Sequence, residues 1–240
     1  MKIGIITQPL QNNYGGILQN YALQDVLKKM GHEVITIDQK YPKIPLWRMF
    51  ASTLKTVLLK MTGKNREFFF FPKDQELKRI SQNTLCFVDN YINHTEKIDN
   101  ERQIRRIVKS LSLEAYIVGS DQVWRPCYNS SIYISFLNFT DSCPVKRIAY
   151  AASFGVDNWE FSDLETKRCK KLVKSFDAVS VREFSGIELC RRYLDVDACQ
   201  VLDPTMLLDE CDYIHLVEKE SEEKSAGSLL FYILDPEQSK

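Results

Sequence analysis

Two short stretches hold the side chains best suited to chemistry. Gly119-Ser120-Asp121-Gln122-Val123-Trp124 sets an acid, an amide and an indole close together in the chain. A carboxylate in such a turn can orient or deprotonate a hydroxyl, and an indole face can stack on a sugar ring. The same residues also read as a plain turn in which Asp121 caps a helix and Trp124 packs. Asn12-Asn13-Tyr14-Gly15-Gly16 is the second stretch, and a helical pattern follows it. Its glycines clear side chains from a place where backbone N–H groups and a helix N-terminus can approach an anion. The spacing is not GxGxxG, so no dinucleotide fingerprint is present.

Gln19 falls within the apolar half of that helix, beside Leu18, Ala22, Leu23, Val26, Leu27 and Met30. A polar group there needs a partner, so it either caps the sheet edge or faces a cleft. Arg182 ends the apolar run SFDAVSV. A guanidinium at a strand end suits bidentate binding of a carboxylate or phosphate, the other reading being a salt bridge to Glu183 or Asp203. Ser120, Gln122 and Ser153 complete the polar set. The histidines, His32, His94 and His215, are scattered, and seven cysteines show no CxxC. That pattern yields no nucleophile–histidine pair, no zinc set and no disulfide scaffold. Neither a metal nor a cofactor is expected.

These residues need elements to hold them. Residues 2–7 read as a buried strand, 16–30 as a helix closed by Gly31, and 32–38 as a second strand. This β-loop-α-β opening implies a parallel sheet with right-handed crossovers. Residues 42–100 are less regular, with one or two helices, three prolines and the run Phe68–Phe71, read as packed or as a docking patch. A charged amphipathic helix covers 101–112. Strands follow at 115–124, 147–155, 177–183 and 199–208, with helices at 160–175 and 184–194. Ligands bind at the carboxyl ends of parallel strands, so QNNYGG, GSDQVW, SFG, RE and DPT should share one rim.

The bulk composition narrows the function. Lys plus Arg equals Asp plus Glu at 32 each, so no global field recruits nucleic acid or an anionic membrane. The opening apolar run is too short for a signal peptide, and no run of about 18 apolar residues exists to span a membrane. A cytoplasmic protein is expected.

QNNYGGILQNYALQ, VGSDQVW, AYAASFG, AVSVRE and VLDPTMLL, in this order, resemble the polysaccharide pyruvyl transferase family. The resemblance spans most of residues 1–208 and extends to 228–234. It implies a GT-B-like architecture, two Rossmann-like domains facing a cleft. The implied reaction moves pyruvate from phosphoenolpyruvate to a sugar or lipid-linked glycan as a ketal. By resemblance Arg182 holds the donor, Asp121 is the acid or base, and Tyr14, Gly15, Gly16 and Gln19 line the cleft. Ser120, Gln122, Trp124 and Ser153 are the remaining expected contacts.

The expected organisation is a Rossmann-like α/β domain over 1–215, a linker over 216–227, and the first strand of a truncated second domain over 228–240. Residues 209–240 hold His215 but no Arg-x-His element of the kind the family's second domain supplies. Two other functions fit the same pattern: a nucleotide-sugar glycosyltransferase, and a non-catalytic remnant that binds sugar or protein. The oligomeric state is left open.

Overall fold

Strands made of near-continuous apolar residues must be covered on both faces, and a parallel sheet between helices does this. The computed structural model describes residues 1–40, 79–129, 131–141 and 143–219. The four phenylalanines and the expected strand at 228–234 lie outside these residues. Six parallel strands form one sheet: β1 (Lys2–Ile6), β2 (Glu33–Thr36), β3 (Ala115–Val118), β4 (Lys146–Ala152), β5 (Ala178–Val181) and β6 (Cys199–Gln200). Their order is β2-β1-β3-β4-β5-β6. The helices are α1 (Tyr14–Lys29), α2 (Gln82–Tyr91), α3 (Glu101–Leu111), α4 (Asp163–Val173), α5 (Phe184–Leu189) and α6 (Glu210–Glu218). This is the α/β, Rossmann-like class the sequence predicts.

The order reverses at β1. The chain moves one way from β1 to β2, then the other way from β3 onward, so right-handed crossovers place α1 on one face and α3 and α4 on the other. Alternation along β3 follows from this. Ala115 and Ile117 pack with Leu23 and Leu27 of α1, while Tyr116 and Val118 belong to the core containing Ile104 of α3 and Cys169 and Val173 of α4. Polar pins also hold α1 to β2. Gln24 Nε2 donates to Thr36 Oγ1 at 2.7 Å, and Thr36 Oγ1 donates to Asn20 Oδ1 at 2.9 Å, all three side chains being buried.

Several boundaries differ from the sequence reading: α1 begins at Tyr14, two residues before the expected start, and the strand expected over 115–124 ends at Val118. The last strand contracts to two residues, and a 3-10 turn covers Pro204–Leu207. Asp203 Oδ1 accepts from its neighbour Thr205 N at 3.0 Å and Pro204 has no N–H, so both residues favour a turn over a ladder. The chain divides into two compact units, Met1–Leu207 and Leu208–Lys240. Helix α6, opened by a capping box between Asp209 and Asp212, runs across the expected linker start at 216.

Asp38, two residues past β2, is 2% exposed, and its Oδ1 accepts the Leu10 N–H at 3.0 Å. Burial pushes its carboxyl above the ordinary value, against weaker opposing effects of the Leu10 bond, Lys97 and His94. A carboxyl raised on folding stabilises most below its unfolded pKa of about 3.9, and that contribution fades as pH climbs toward the folded value. Asp38→Asn keeps an acceptor for Leu10 without the buried charge. It should therefore be more stable than the parent at pH 7 and no more stable near pH 3, as read by urea unfolding at both.

Gly119 sits at φ +134, and an added Cβ would lie 1.9 Å from the Tyr150 carbonyl oxygen. Gly119→Ala should cost about 3 kcal/mol or more, since both backbone strain and a clash with β4 oppose it. Gly15→Ala, in the first turn of α1 with only Asn13 Oδ1 nearby at 3.6 Å, should instead stabilise by up to about 1 kcal/mol. Denaturant midpoints of the two variants moving in the same direction would contradict this pairing.

Candidate functional site

The reversal of strand order between β1 and β3 opens a crevice at their carboxyl ends, where open α/β sheets take ligands. The β1–α1 loop meets the turn after β3 there. Asn13 caps α1: its Oδ1 accepts the Gly16 N–H at 3.1 Å while its Nδ2 donates to Asp121 Oδ2 at 2.6 Å. A Cβ on Gly16 would stand 2.7 Å from Asp121 Oδ2, so the bare backbone at this position admits the carboxylate. Its negative charge lies against the positive end of α1.

Asp121 is itself left-handed, with φ 67, and the Gly119–Ser120 peptide is cis. The turn is bonded on to β4: Asp121 O accepts Val123 N at 2.8 Å and Ser153 N at 3.0 Å, and Trp124 N donates to Ser153 O at 3.1 Å. Asp121 Oδ1 accepts Gln122 N at 2.8 Å, and Gln8 Nε2 from the β1 loop holds Gln122 O at 2.9 Å. Each carboxylate oxygen thus accepts one of these bonds and has capacity for another.

A chain of side-chain bonds continues along the rim. Ser120 Oγ donates to Gln19 Oε1 at 2.8 Å, and Gln19 Nε2 donates to Asp203 Oδ2 at 2.7 Å. Arg182 Nη1 reaches the same Asp203 oxygen at 3.3 Å, and its Nε donates to Glu183 Oε1 at 2.8 Å. Ser153 Oγ closes the chain on Glu183 Oε1 at 2.8 Å. Burial works against the Arg182 charge, but the bonds and charges of Glu183 and Asp203 outweigh it and raise its pKa. Neither ion pair engages Nη2. On one flank, Arg125 forks on to Glu160 at 3.0 and 3.2 Å and also holds Gln122 Oε1 at 3.2 Å.

The structure brings Gly16, Gln19, Asp121, Gln122 and Arg182 to one rim, with Gly15 and the half-exposed Tyr14 in the first turn of α1 beside it, while Ser120 and Ser153 are fully buried beneath it and brace Gln19 and Glu183 in place of the expected substrate contacts. Gln19 is a cross-brace between Ser120 and Asp203. Trp124 has to be removed from the expected sugar contacts. Its indole is fully buried, stacked on Phe136 at 5.0 Å and tilted against Phe154, with Nε1 donating to Ser135 O at 3.0 Å. Among the described residues, exposed rings on the segments after the strands include Tyr14, Phe184 and Tyr128, the last lying under Arg125. Sequence reasoning left out Asn13 as a site residue and treated Glu183 and Asp203 only as partners of Arg182. The pairing of Asn13 with a first-turn N–H three residues on is the ordinary N-cap signal.

The polysaccharide pyruvyl transferase family matches this chain over residues 13–225. No curated protein matches. Among solved structures, a glycosyltransferase from Rickettsia africae ESF-5 is 13% identical with a TM-score of 0.49, covering 91% of this chain and 48% of its own. An alpha-glucosyltransferase in complex with UDP-glucose and DNA containing an abasic site is 13% identical with a TM-score of 0.38, covering 85% and 42%. The chain thus spans about half the length of these structures.

Arg182→Lys keeps the charge but loses the planar fork that reaches two carboxylates. Stability should fall by roughly 1–3 kcal/mol, because Asp203 or Glu183 is left half-buried with one partner fewer. Urea midpoints equal to the parent's would show that this ion-pair bridge contributes nothing to the fold.

Proposed function

The chain belongs to the polysaccharide pyruvyl transferase family, and we propose that it moves the pyruvate unit of phosphoenolpyruvate on to a sugar of a surface-polysaccharide precursor as a ketal. The observation that carries the reading is the placement of Asp121 at the topological switch point. Its carboxylate is held by Asn13 and by the Gln122 N–H and faces the bare backbone of Gly16.

In this reaction a sugar hydroxyl oxygen bonds to C2 of the enolpyruvyl group while C3 takes a proton and becomes a methyl. A second hydroxyl then bonds to C2 as the C2–O bond to phosphate breaks. Of the two hydroxyl protons, one balances that taken by C3 and the other leaves with phosphate or solvent. Asp121 accepts the proton of the attacking hydroxyl. Gln122 orients the acceptor, Tyr14 or Phe184 offers a ring face to it, and the fully buried Ser153 acts from behind by holding Glu183.

Charge assigns the two substrates to different places. The rim sets three carboxylates, Asp121, Glu183 and Asp203, beside one guanidinium, Arg182. An uncharged polyol suits that balance better than a phosphate does. The donor therefore meets this unit at Arg182 alone, through Nη2. Two inter-strand spacings, about 10 Å, separate the β3 and β5 ends that carry Asp121 and Arg182. In a GT-B-like arrangement the other cations of the donor site come from a second Rossmann-like domain facing this rim. Among the described residues no helix is long and apolar enough to cross a membrane. Phosphoenolpyruvate as donor places the reaction in the cytoplasm.

The test is phosphate release from phosphoenolpyruvate by the full-length protein with a panel of glycan and glycolipid acceptors. Asp121→Asn should lower kcat by at least about 10²-fold with the fold intact. Release of a nucleoside diphosphate from a sugar nucleotide, with none of phosphate from phosphoenolpyruvate, would overturn the reading in favour of a glycosyltransferase.

A further inference from the structure

The geometry points to Asp38 as the positioning residue of the Asp121 centre, acting through the β1–α1 loop. The proposal rests on the functional reading above for its kinetic consequence but not for its structural one. Residues 8–13 form a crosspiece with both ends on the Asp121 turn: Gln8 Nε2 on Gln122 O at one end, and Asn13 Nδ2 on Asp121 Oδ2 at the other. The crosspiece is fastened in its middle. Leu10 N donates to Asp38 Oδ1 at 3.0 Å, and the Thr84 hydroxyl donates to Gln11 O. Leu10 itself is buried with Ile17, Val88 and Ile92, which places the fastening between α1 and α2.

Asp38 is fixed on its own side. Its N–H donates to Thr95 Oγ1 at 3.2 Å and its carbonyl accepts Ile98 N at 2.9 Å. The charged groups acting on it are Lys97 and His94, and His94 lies 3.4 Å from Asp89. Its Oδ2 has no hydrogen-bond partner among the described residues. What the position supplies is a fixed acceptor just past β2, the strand next to β1. Such an acceptor sets the height of the loop, and with it the reach of Asn13 to Asp121. A displacement of about 1 Å at a reacting group is enough to lower a rate roughly a hundredfold.

The experiment pairs Asp38→Ala with Asp38→Asn in the full-length protein. Hydrogen exchange is read at the amides of residues 10–17 and of Ile3–Ile6, alongside kcat and KM for phosphate release. Asp38→Ala should speed exchange at 10–17 while Ile3–Ile6 keep their protection, and should lower kcat ten- to a hundredfold with KM changed less than threefold. Asp38→Asn, which still offers an oxygen to Leu10, should restore both readouts. The inference is overturned if Asp38→Ala fails to fold or loses protection equally in β1, since Asp38 would then be a general structural anchor. It is overturned as well if Asp38→Asn behaves like Asp38→Ala, or if exchange at 10–17 is unchanged. A parent protein that releases no phosphate defeats the functional reading, while the exchange comparison still decides this one.

Discussion

The guanidinium of Arg182, shared between Glu183 and Asp203, is the interaction on which the rim depends. The carboxyl ends of parallel strands bring polar groups out of a sheet covered on both faces, and each half-buried group there must find a partner. Arg182 sits at the end of β5, Glu183 follows it, and Asp203 comes three residues after β6. One planar side chain bonding to both draws the segment after β6 back toward the neighbouring strand end. The same Asp203 oxygen also takes Gln19 from α1, so the helix on one face is tied to that segment. Each such bond contributes only about 1 kcal/mol net, but removing one partner leaves a charge with little water around it.

The arrangement also limits the chemistry. An anionic ligand approaching Arg182 competes with two carboxylates already in place, whereas a hydroxyl approaching Asp121 meets acceptor capacity that the surrounding bonds leave open. The rim is ready for a neutral polar molecule and reluctant toward an anion, and it is held in that state by protein bonds before any ligand arrives. Preorganisation of this kind favours a carboxylate whose orientation matters for proton transfer, because no bond has to be rebuilt as the substrate docks.

What was legible in the sequence was local. The apolar runs set the strands, Gly15 and Gly16 marked the start of α1, and polar strand ends pointed to one rim. Trp124 was misjudged because strand periodicity gives a side chain's direction only while the strand lasts. The left-handed Asp121 turns the chain, and the ring stacked on the indole, Phe136, comes from Ile132–Phe136, a 3-10 segment with no periodic pattern to announce it. The last strand was overdrawn for a similar reason. Leu202, Met206, Leu207 and Leu208 read as apolar, but Asp203 and Pro204 had already committed the backbone to a turn. The bond from Asn13 to Asp121 and the one from Leu10 to Asp38 escaped notice because they span 108 and 28 residues in sequence, beyond any window of local pattern.

Three aspartates show how far environment separates identical residues. Ile37-Asp38-Gln39, Ser120-Asp121-Gln122 and Leu202-Asp203-Pro204 look alike in the sequence, each an acid just past a strand. Asp203 is saturated by Arg182, Gln19 and Thr205, so its charge is spent on holding segments together. Asp38 is buried, and its Oδ1 takes the Leu10 N–H in the middle of the β1–α1 loop. Asp121 is half-buried, aligned by two donors and open toward a crevice where the strand order reverses. A general base must be both oriented and reachable, and of the three only Asp121 meets both conditions, Asp38 being unreachable and Asp203 already occupied. The proposed assignment of chemistry to Asp121 therefore rests on its neighbours' geometry, with residue type contributing only the carboxylate.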